Sequence, residues 1–392
     1  MEKINKISEY VLSALLPQTH TQISLYGDEG MALLYAYAYQ ITQHTPYLNK
    51  VVAIVEESIE LLNTKPLATI AVGGGLAGTA WLMAFLSNEG LISYEEDIFQ
   101  TFDEIILASL QDDLNKKNYD FFHGYLGKCF YFLERQKQHK DDELLEKLLI
   151  DLESIGKPIN EIRLWQVIHV DGNLTCNLGL SHGIPSILVF FCKLYNLGIQ
   201  TTYLEKRIRE IANWLIGQKQ SSEVSYFSYN TTYRTAARLA WCYGDLGVAI
   251  ALKHAGNSLK DAYLQDVAND IIIHSTQRDI LSAGVAINSR LNYAETNFCH
   301  GASGIAFIYH NFYKDTQNKA IKIAADYWHE QVEKAFKENE KNIFYTFVKR
   351  EAKIWEITNG LLEGATGVAL ALLSEQYPDV KPTWDKFFLL DF

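Results

Sequence analysis

The chain has 392 residues, of which 48% are hydrophobic and 21% are charged, a composition typical of a globular protein with a large apolar core. Its net charge of -12 offers no clustered positive charge for a phosphate backbone, so nucleic acid is excluded as an expected partner. The longest apolar runs, such as "IPSILVFF" and "GVALALL", are shorter than the roughly 20 residues that span a bilayer, so no direct membrane span is expected.

The N-terminus and the cysteines indicate a cytoplasmic protein. Apolar residues recur at helical spacing from Ile4 onward, and Glu2 and Glu9 interrupt them, which argues against a secretory signal. Without an export signal, the five cysteines are expected to be thiols or ligands rather than a disulfide framework. Cys129 and Cys192 lie within apolar helical runs and are predicted to be core residues.

One glycine-containing turn recurs seven times along the chain. Its copies are "SLYGDEGMALLYAY", "AVGGGLAGTAWLMAF", "YDFFHGYLGKCFYFL", "LGLSHGIPSILVFF", "WCYGDLGVAIAL", "NFCHGASGIAFIYH" and "LLEGATGVALALL". Their first glycines are Gly27, Gly75, Gly124, Gly183, Gly244, Gly301 and Gly364, at intervals of 48 to 63 residues. Six copies have a second glycine three residues later, and the fourth has Ser186 at that position.

The repeats predict an all-α protein. Each turn is followed by apolar residues at helical spacing, and a more polar helical pattern such as "DEIILASLQDDL" lies between copies. A repeat of about 50 residues accommodates two helices, and repeats that bury their faces against neighbours form a solenoid or a closed ring. We therefore expect one domain over residues 1–392, an α/α toroid of seven helical hairpins with the glycine-led helices inside. A small inserted extension is expected at 133–175, because the end of this stretch has more strand character than the rest of the sequence.

The glycines themselves have a structural explanation. A helix that is entered from a tight loop benefits from residues without a Cβ, because they permit positive φ and close backbone approach. A phosphate-binding loop is not indicated, since no strand precedes the turns and no Gly-Lys-Ser/Thr follows them.

A shared register allows the residues in front of each glycine to be compared. If all seven turns lie at one end of the ring, these residues point into a common mouth. One position before the first glycine are Tyr26, Gly74, His123, His182, Tyr243, His300 and Glu363; two positions before it are Leu25, Gly73, Phe122, Ser181, Cys242, Cys299 and Leu362.

Two cysteines share a register in the adjacent fifth and sixth repeats. Cys242, Cys299 and His300 form a set of two thiolates and one imidazole, which matches catalytic zinc sites that use three protein ligands and leave one position open. Soft thiolate ligands favour zinc over magnesium or calcium. We therefore predict one metal ion per chain at these residues.

Other polar residues of this register leave several roles open. His182 or His123 could be a fourth ligand or a proton-transfer group. Asp120 could polarise a histidine or coordinate the metal, although an aspartate in such a loop is usually an N-cap. Spacing alone does not rank these possibilities.

Taken together, "WCYGDLG", "CHGASG", "GLSHG" and "YDFFHGYLG" resemble the lanthionine synthetase C-like (LanC) family, the cyclases of lanthipeptide biosynthesis. The resemblance covers all seven repeats. It implies a single zinc held by Cys242, Cys299 and His300. It also implies that His182 is an acid/base group, and the further residues that assist it or line the site are Asp120, Arg238, Tyr243 and Trp241.

The sequence departs from the family pattern at two positions. Ser186 replaces a turn glycine, and His123 stands where an acidic or neutral residue is expected. His123 therefore leaves the identity of the main proton carrier, this residue or His182, open.

The family reaction adds a peptide cysteine thiol across the double bond of dehydroalanine or dehydrobutyrine and closes a lanthionine or methyllanthionine ring. The resemblance implies a dehydrated precursor peptide with its leader as substrate. It also implies a dehydratase and an ABC exporter as partners, so that association with the membrane would be peripheral. The extension at 133–175 corresponds to one thought to help hold the precursor peptide in relatives.

Two other functions also fit a zinc-bound thiol. LanC-like relatives are associated with glutathione, which this chain could bind or add to dehydrated residues. Protein prenyltransferases combine an α/α toroid with zinc, but their zinc set includes an aspartate and their ring has six hairpins, so this alternative is more remote.

Overall fold

The structure, a computed structural model, describes residues 6–14, 23–221, 224–288, 293–349 and 354–392. These residues contain fourteen α-helices and eight short β-strands, so the prediction of a mainly helical protein is confirmed. Glu2 and Ile4, which entered the N-terminal prediction, lie outside the described residues. Among the described residues, no helix combines the length and the apolar character that crossing a bilayer requires.

The helices alternate along the chain between glycine-led helices and more polar ones. They are α1 (Lys6–Ala14), α2 (Met31–Thr42), α3 (Thr45–Thr64), α4 (Leu76–Asn88), α5 (Glu96–Lys116), α6 (Tyr125–Arg135), α7 (Asp142–Ile155), α8 (Ile184–Asn196), α9 (Thr201–Gly217), α10 (Asp245–Leu259), α11 (Ala262–Ser275), α12 (Ala302–Thr316), α13 (Lys319–Glu338) and α14 (Ala365–Gln376).

The strands form four two-stranded antiparallel hairpins. They are β1 (Lys157–Ile159) with β2 (Ile162–Leu164), β3 (Val167–Ile168) with β4 (Leu174–Thr175), β5 (Ile287–Asn288) with β6 (Tyr293–Ala294), and β7 (Tyr345–Lys349) with β8 (Ile354–Ile357).

The predicted helix starts coincide with the glycine turns. The first glycine is the N-cap residue of α4, α6, α8, α10, α12 and α14. In the first repeat a short 3-10 turn, Asp28–Gly30, follows Gly27, and the second glycine, Gly30, is the N-cap of α2. The glycine spacing therefore identifies where every one of these helices begins.

Burial differs between the two kinds of helix. The glycine-led α4 is buried at every position from Leu76 to Leu86, because its sequence is apolar on all faces. The more polar α13, which pairs with α12, buries only one face, with buried residues at intervals of mostly three or four positions. Cys129 in α6 and Cys192 in α8 are fully buried free thiols, as the sequence predicted.

The chain divides into two compact units. One comprises the described residues of Met1–Glu95 and Arg278–Phe388, and the other comprises those of Glu96–Gln277 and Leu389–Phe392. In the first unit α2 packs against α3, and α12 packs against α13 and α14. In the second unit α6 packs against α7, α8 against α9, and α10 against α11.

The seventh glycine-led helix obtains its partner from the other end of the sequence. In the described residues after α14 (377–392) there is a 3-10 segment, Thr383–Phe388, and no further α-helix. Helix α1 packs against α14 in its place. The seventh pair is therefore formed by the two ends of the chain, an arrangement that periodicity along the sequence did not indicate.

The stretch 133–175 contains α7 and then the hairpins β1–β2 and β3–β4. Arg207 of α9 anchors this region: its side chain donates to Glu153 Oε1 at 2.9 Å and to the carbonyl oxygen of Arg163 at 2.8 Å. The indole of Trp165 donates to the Leu152 carbonyl at 2.9 Å. The hairpin β1–β2 is thus fixed against α7 and α9.

A close backbone approach explains the glycines. The first amide of α8 donates to the carbonyl of Asn177, six residues before the capping Gly183. This contact places the carbonyl oxygen 2.3 Å from where a Cβ on Gly183 would stand, a distance that no side chain tolerates. A Cβ on Gly78, the second glycine of its repeat, would lie 2.2 Å from the carbonyl oxygen of Val72.

Replacing Gly78 by alanine should therefore destabilise the fold. The new Cβ forces the backbone apart, and we expect the free energy of unfolding to fall by at least about 2 kcal/mol, as measured by urea denaturation. Gly217→Ala is the matched control, because nothing lies within 4 Å of that position; it should stabilise the protein by about 0.5 kcal/mol. Equal effects of the two substitutions would contradict the packing explanation.

Candidate active site

The turns of the third and fourth repeats bring Asp120 and His182 together. Asp120 Oδ2 accepts a hydrogen bond from His182 Nδ1 at 2.7 Å, while Oδ1 accepts the backbone N–H of His123 at 2.8 Å. One carboxylate thus stabilises its own turn and orients a histidine from the next repeat. Of the two roles that the sequence left open for Asp120, this contact corresponds to the polarisation of a histidine; metal coordination stays a prediction.

The environment of His182 favours its protonated form. Burial alone would lower the pKa of His182, but the hydrogen bond and negative charge of Asp120, with a smaller contribution from Cys242, outweigh burial and raise the pKa above its ordinary value. The side chain keeps 29% of its exposure. His182 can therefore hold a proton near neutral pH and still exchange it.

Aromatic rings surround this histidine. His123 is exposed and its ring stacks on that of His182 with centroids 5.8 Å apart. Phe122 contacts His182 on another side at 5.9 Å and the buried Trp241 edge-on at 5.7 Å. The predicted site residues His123, His182 and Trp241 thus share one aromatic cluster, and of these three His123 is the most exposed to solvent.

Tyr243 is fixed in a tight pocket. Its hydroxyl accepts a hydrogen bond from Asn177 Nδ2 at 3.2 Å, and its ring contacts Tyr229 at 5.2 Å. A Cβ on Gly179 would lie 2.5 Å from the Tyr243 ring, so only glycine leaves room for it. Burial raises the pKa of Tyr243, which keeps the phenol protonated and able to donate.

The positive charge of Arg238 acts on Tyr243 and lowers the pKa of its phenol, which opposes part of the increase that burial causes. Its backbone N–H donates to the hydroxyl of Tyr229 at 3.1 Å, which fixes the start of the "WCYG" turn. The carbonyl of Arg238 lies 2.4 Å from the position of a Cβ on Gly244, and Gly244 has a φ of +81°. Glycine is therefore required two residues after Cys242 for both reasons.

Cys242 is buried, with 6% of its surface exposed. Its carbonyl oxygen accepts from the hydroxyl and the N–H of Ser181, at 3.3 and 3.4 Å. These contacts tie the turn of the fifth repeat to the "GLSHG" turn of the fourth, which carries His182. The turns of adjacent repeats are thus adjacent in space here, as the sequence predicted.

Cys299 and His300 lie in the corresponding turn of the sixth repeat. Cys299 is 7% exposed, and its backbone N–H donates to the carbonyl of Leu362 in the turn of the seventh repeat at 2.9 Å. The His300 N–H donates to Asn297 Oδ1 at 3.0 Å. Asn297 therefore performs for this turn the stabilising function that Asp120 performs for the third.

A buried carboxylate lies behind His300. Glu295, 1% exposed, places Oε2 at 3.4 Å from His300 Nε2. Its other oxygen accepts from the Thr346 hydroxyl at 2.8 Å and from the Phe347 N–H at 2.6 Å. Glu295, Asn297 and Asn177 are not among the site residues predicted from the sequence. The sequence pattern that could have identified them is a polar residue four or six positions before the capping glycine, in a stretch otherwise predicted to be a loop.

A family model described as lanthionine synthetase C-like protein matches residues 21–389. The chain belongs to the lanthionine synthetase C-like family. Among its relatives, the nisin biosynthesis protein NisC of Lactococcus lactis subsp. lactis is 24% identical over 404 aligned residues, which cover 93% of this chain and 88% of that protein. The family resemblance drawn from the four turn motifs is confirmed.

A solved structure of nisin cyclase has the same fold. It matches with a TM-score of 0.73 and 19% identity, over 98% of this chain and 95% of the other. At this level of identity the likeness establishes the fold, and the predicted α/α toroid is confirmed.

In this member of the LanC-like family, we predict that the negative charge of Asp120 controls the pKa of His182. In Asp120→Asn the amide oxygen can still accept the His123 N–H, but the negative charge on His182 is lost, so the pKa of His182 should fall. NMR titration of the imidazole signals measures this pKa, and thermal unfolding checks that the turn is retained. Asp120→Ala should lower the pKa and also destabilise the turn by about 1 kcal/mol. An unchanged pKa in Asp120→Asn would show that the carboxylate does not control this histidine.

Proposed function

We propose that this chain is a zinc-dependent lanthipeptide cyclase. It adds a cysteine thiol of a dehydrated precursor peptide across the double bond of a dehydroalanine or dehydrobutyrine in the same peptide. The S–Cβ bond forms, the C=C π bond breaks, and a proton is delivered to Cα. The observation that carries this proposal is family membership over nearly the whole chain, joined to two cysteines and a histidine in the turn register.

Cys242, Cys299 and His300 are the zinc ligands of this proposal. Cys242 stands two positions before the first glycine of the fifth turn, Cys299 holds the same position in the sixth turn, and His300 follows it directly. Two thiolates and an imidazole are a donor set that suits zinc and leaves a fourth position for substrate. The residues therefore fit the metal that the family implies.

Bound zinc would lower the pKa of a substrate thiol, which is about 8.5 when free, so that the thiolate exists at neutral pH. The protein ligands set the character of this centre. Cys242 and Cys299 balance the charge of the dication, which favours an electron-rich thiolate over the activation of water.

His182 is the group that delivers the proton to Cα. Asp120 holds Nδ1, which leaves Nε2 as the nitrogen that exchanges a proton with substrate. The hydrogen bond and negative charge of Asp120 outweigh burial and raise the pKa of His182, which favours the charged form that a proton donor needs. His123, stacked on the solvent side, suits the renewal of that proton from water.

Attack at Cβ places negative charge on the carbonyl oxygen of the dehydro residue. Arg238 and Tyr243 are the neighbours assigned to this charge, the first as a cation and the second as a phenol that remains protonated because it is buried. Asn177 and Gly179 fix the Tyr243 ring, so that its hydroxyl needs little reorganisation during the reaction.

The partners follow from the same proposal. The substrate is a dehydrated precursor peptide with its leader, and a dehydratase and an ABC exporter complete the biosynthetic complex. The protein would act in the cytoplasm and reach the membrane only through that complex. In this proposal the hairpins β1–β2 and β3–β4 are the part of the insertion that helps to hold the precursor peptide.

Cys299→Ala tests this function. We expect wild type to bind about one zinc per chain and to close thioether rings in a dehydrated lanthipeptide precursor; the variant should lose the zinc and at least about 100-fold in rate. Elemental analysis measures the zinc, and protection of peptide cysteines from alkylation, followed by mass spectrometry, measures ring closure.

Cys129→Ala is the matched control, because it removes a buried thiol that is not in the ligand set. It should keep both zinc and activity. Ring closure by wild type without added glutathione separates cyclisation from glutathione addition. A well-folded wild type that binds zinc and leaves every peptide cysteine reactive would contradict the cyclase function.

A further inference from the structure

The buried carboxylate behind His300 has no assigned role. We propose that Glu295 is a positioning residue for the metal centre: it holds His300 with a proton on Nε2, so that Nδ1 is the nitrogen that faces the metal. This inference rests on the proposed function, because it assumes that His300 is a zinc ligand. It adds a residue from outside the predicted ligand set.

The contacts of Nε2 decide which ring nitrogen is protonated. Glu295 Oε2 lies 3.4 Å from His300 Nε2, and Asn297 Nδ2 lies 3.3 Å from the same atom. An unprotonated Nε2 could accept from the amide, but its lone pair would then face a carboxylate oxygen that is almost excluded from water. With a proton on Nε2, the ring N–H faces the negative oxygen, and the Asn297 amide donates to Thr346 Oγ1 at 3.2 Å instead.

Glu295 is itself held firmly. The Thr346 hydroxyl and the Phe347 N–H bind its Oε1. Its backbone N–H donates to the Ala286 carbonyl at 2.8 Å, and its carbonyl accepts the first amide of α12, that of Ala302, at 2.8 Å. The carboxylate therefore has a fixed position relative to the helix whose N-terminal turn carries His300.

Strand β7 thus supports the metal ligand through Glu295. Histidine ligands usually donate their second ring nitrogen to a carboxylate or carbonyl, which fixes the tautomer and the ring orientation and makes the ligand more basic. Loss of such a partner typically lowers metal affinity 10- to 100-fold. The hairpin β7–β8, which is not part of the helical repeat, gains a function in this way.

Glu295→Gln tests the inference on the full-length protein. The amide keeps the size of the side chain but loses the charge, and we expect zinc affinity, measured by competition with a chromophoric chelator, to fall at least 10-fold. Thr346→Val leaves Glu295 intact but removes one of its supports, and should lower the affinity by a smaller factor. It provides a second measurement if Glu295→Gln does not fold.

Glu29→Gln is the matched control. Glu29 is another buried carboxylate of the same unit, 2% exposed, and accepts the Thr79 hydroxyl at 3.0 Å. Its replacement should cost stability and leave zinc affinity unchanged. In the cobalt-substituted protein, the visible absorption bands should shift for Glu295→Gln and stay in place for Glu29→Gln, because only the first changes the donor strength of His300.

The outcomes separate this inference from the proposed function. A wild type that binds no zinc would overturn both. A wild type that binds zinc, with Glu295→Gln binding it as tightly, would overturn the inference alone. Equal losses of affinity in Glu295→Gln and Glu29→Gln would also overturn it, since they would reflect general destabilisation. A selective loss together with shifted cobalt bands would support it.

Discussion

The hydrogen bond between a loop carbonyl and the first amide of a glycine-led helix is the contact on which the rest of the structure depends. It joins Thr69 to Leu76, Asn118 to Tyr125, Asn177 to Ile184, Glu295 to Ala302 and Thr358 to Ala365. In each case the carbonyl belongs to the residue six positions before the capping glycine. This bond caps the helix and forces the intervening residues into one turn geometry, which fixes where their side chains lie. The capping residue must then be glycine, because the carbonyl oxygen lies where a Cβ would stand.

The candidate site uses this turn repeatedly. The third, fourth and sixth turns, which share this bond, present His123, His182 and His300 one position before the glycine and Cys299 two positions before it. Tyr243 and Cys242 hold the same sequence positions in the fifth turn, where Gly244 has a positive φ instead. Side chains of the turn then serve two purposes at once: Asp120 caps its own turn and orients His182, and Glu295 caps α12 through its carbonyl while its carboxylate faces His300. Structural and chemical functions are therefore difficult to separate by mutation at these positions, which is why isosteric substitutions are the informative ones.

The sequence was sufficient for features that repeat or that are local. The helix starts could be predicted because glycine is the residue that the close carbonyl requires, and the candidate ligands because their register is shared between adjacent repeats. Pairing of α1 with α14 could not be predicted, since it joins opposite ends of the chain. The contacts of Glu295 with Thr346, and of Asn177 with Tyr243, join residues 51 and 66 positions apart. No local pattern encodes such contacts, so Glu295, Thr346 and Asn177 were not predicted. The residues that Glu295 and Asn177 contact, His300 and Tyr243, were predicted as site residues.

The central claim is that thiolates from two adjacent repeats and one histidine hold a thiol-activating zinc. X-ray absorption at the zinc edge tests it most directly, because it counts the sulfur and nitrogen atoms bound to the metal in the protein as purified. The account predicts two sulfur ligands per zinc at about 2.3 Å and a signal from one imidazole. In Cys242→Ala, any zinc that remains bound should have one sulfur ligand fewer than in wild type. A zinc shell that contains only nitrogen and oxygen would contradict it.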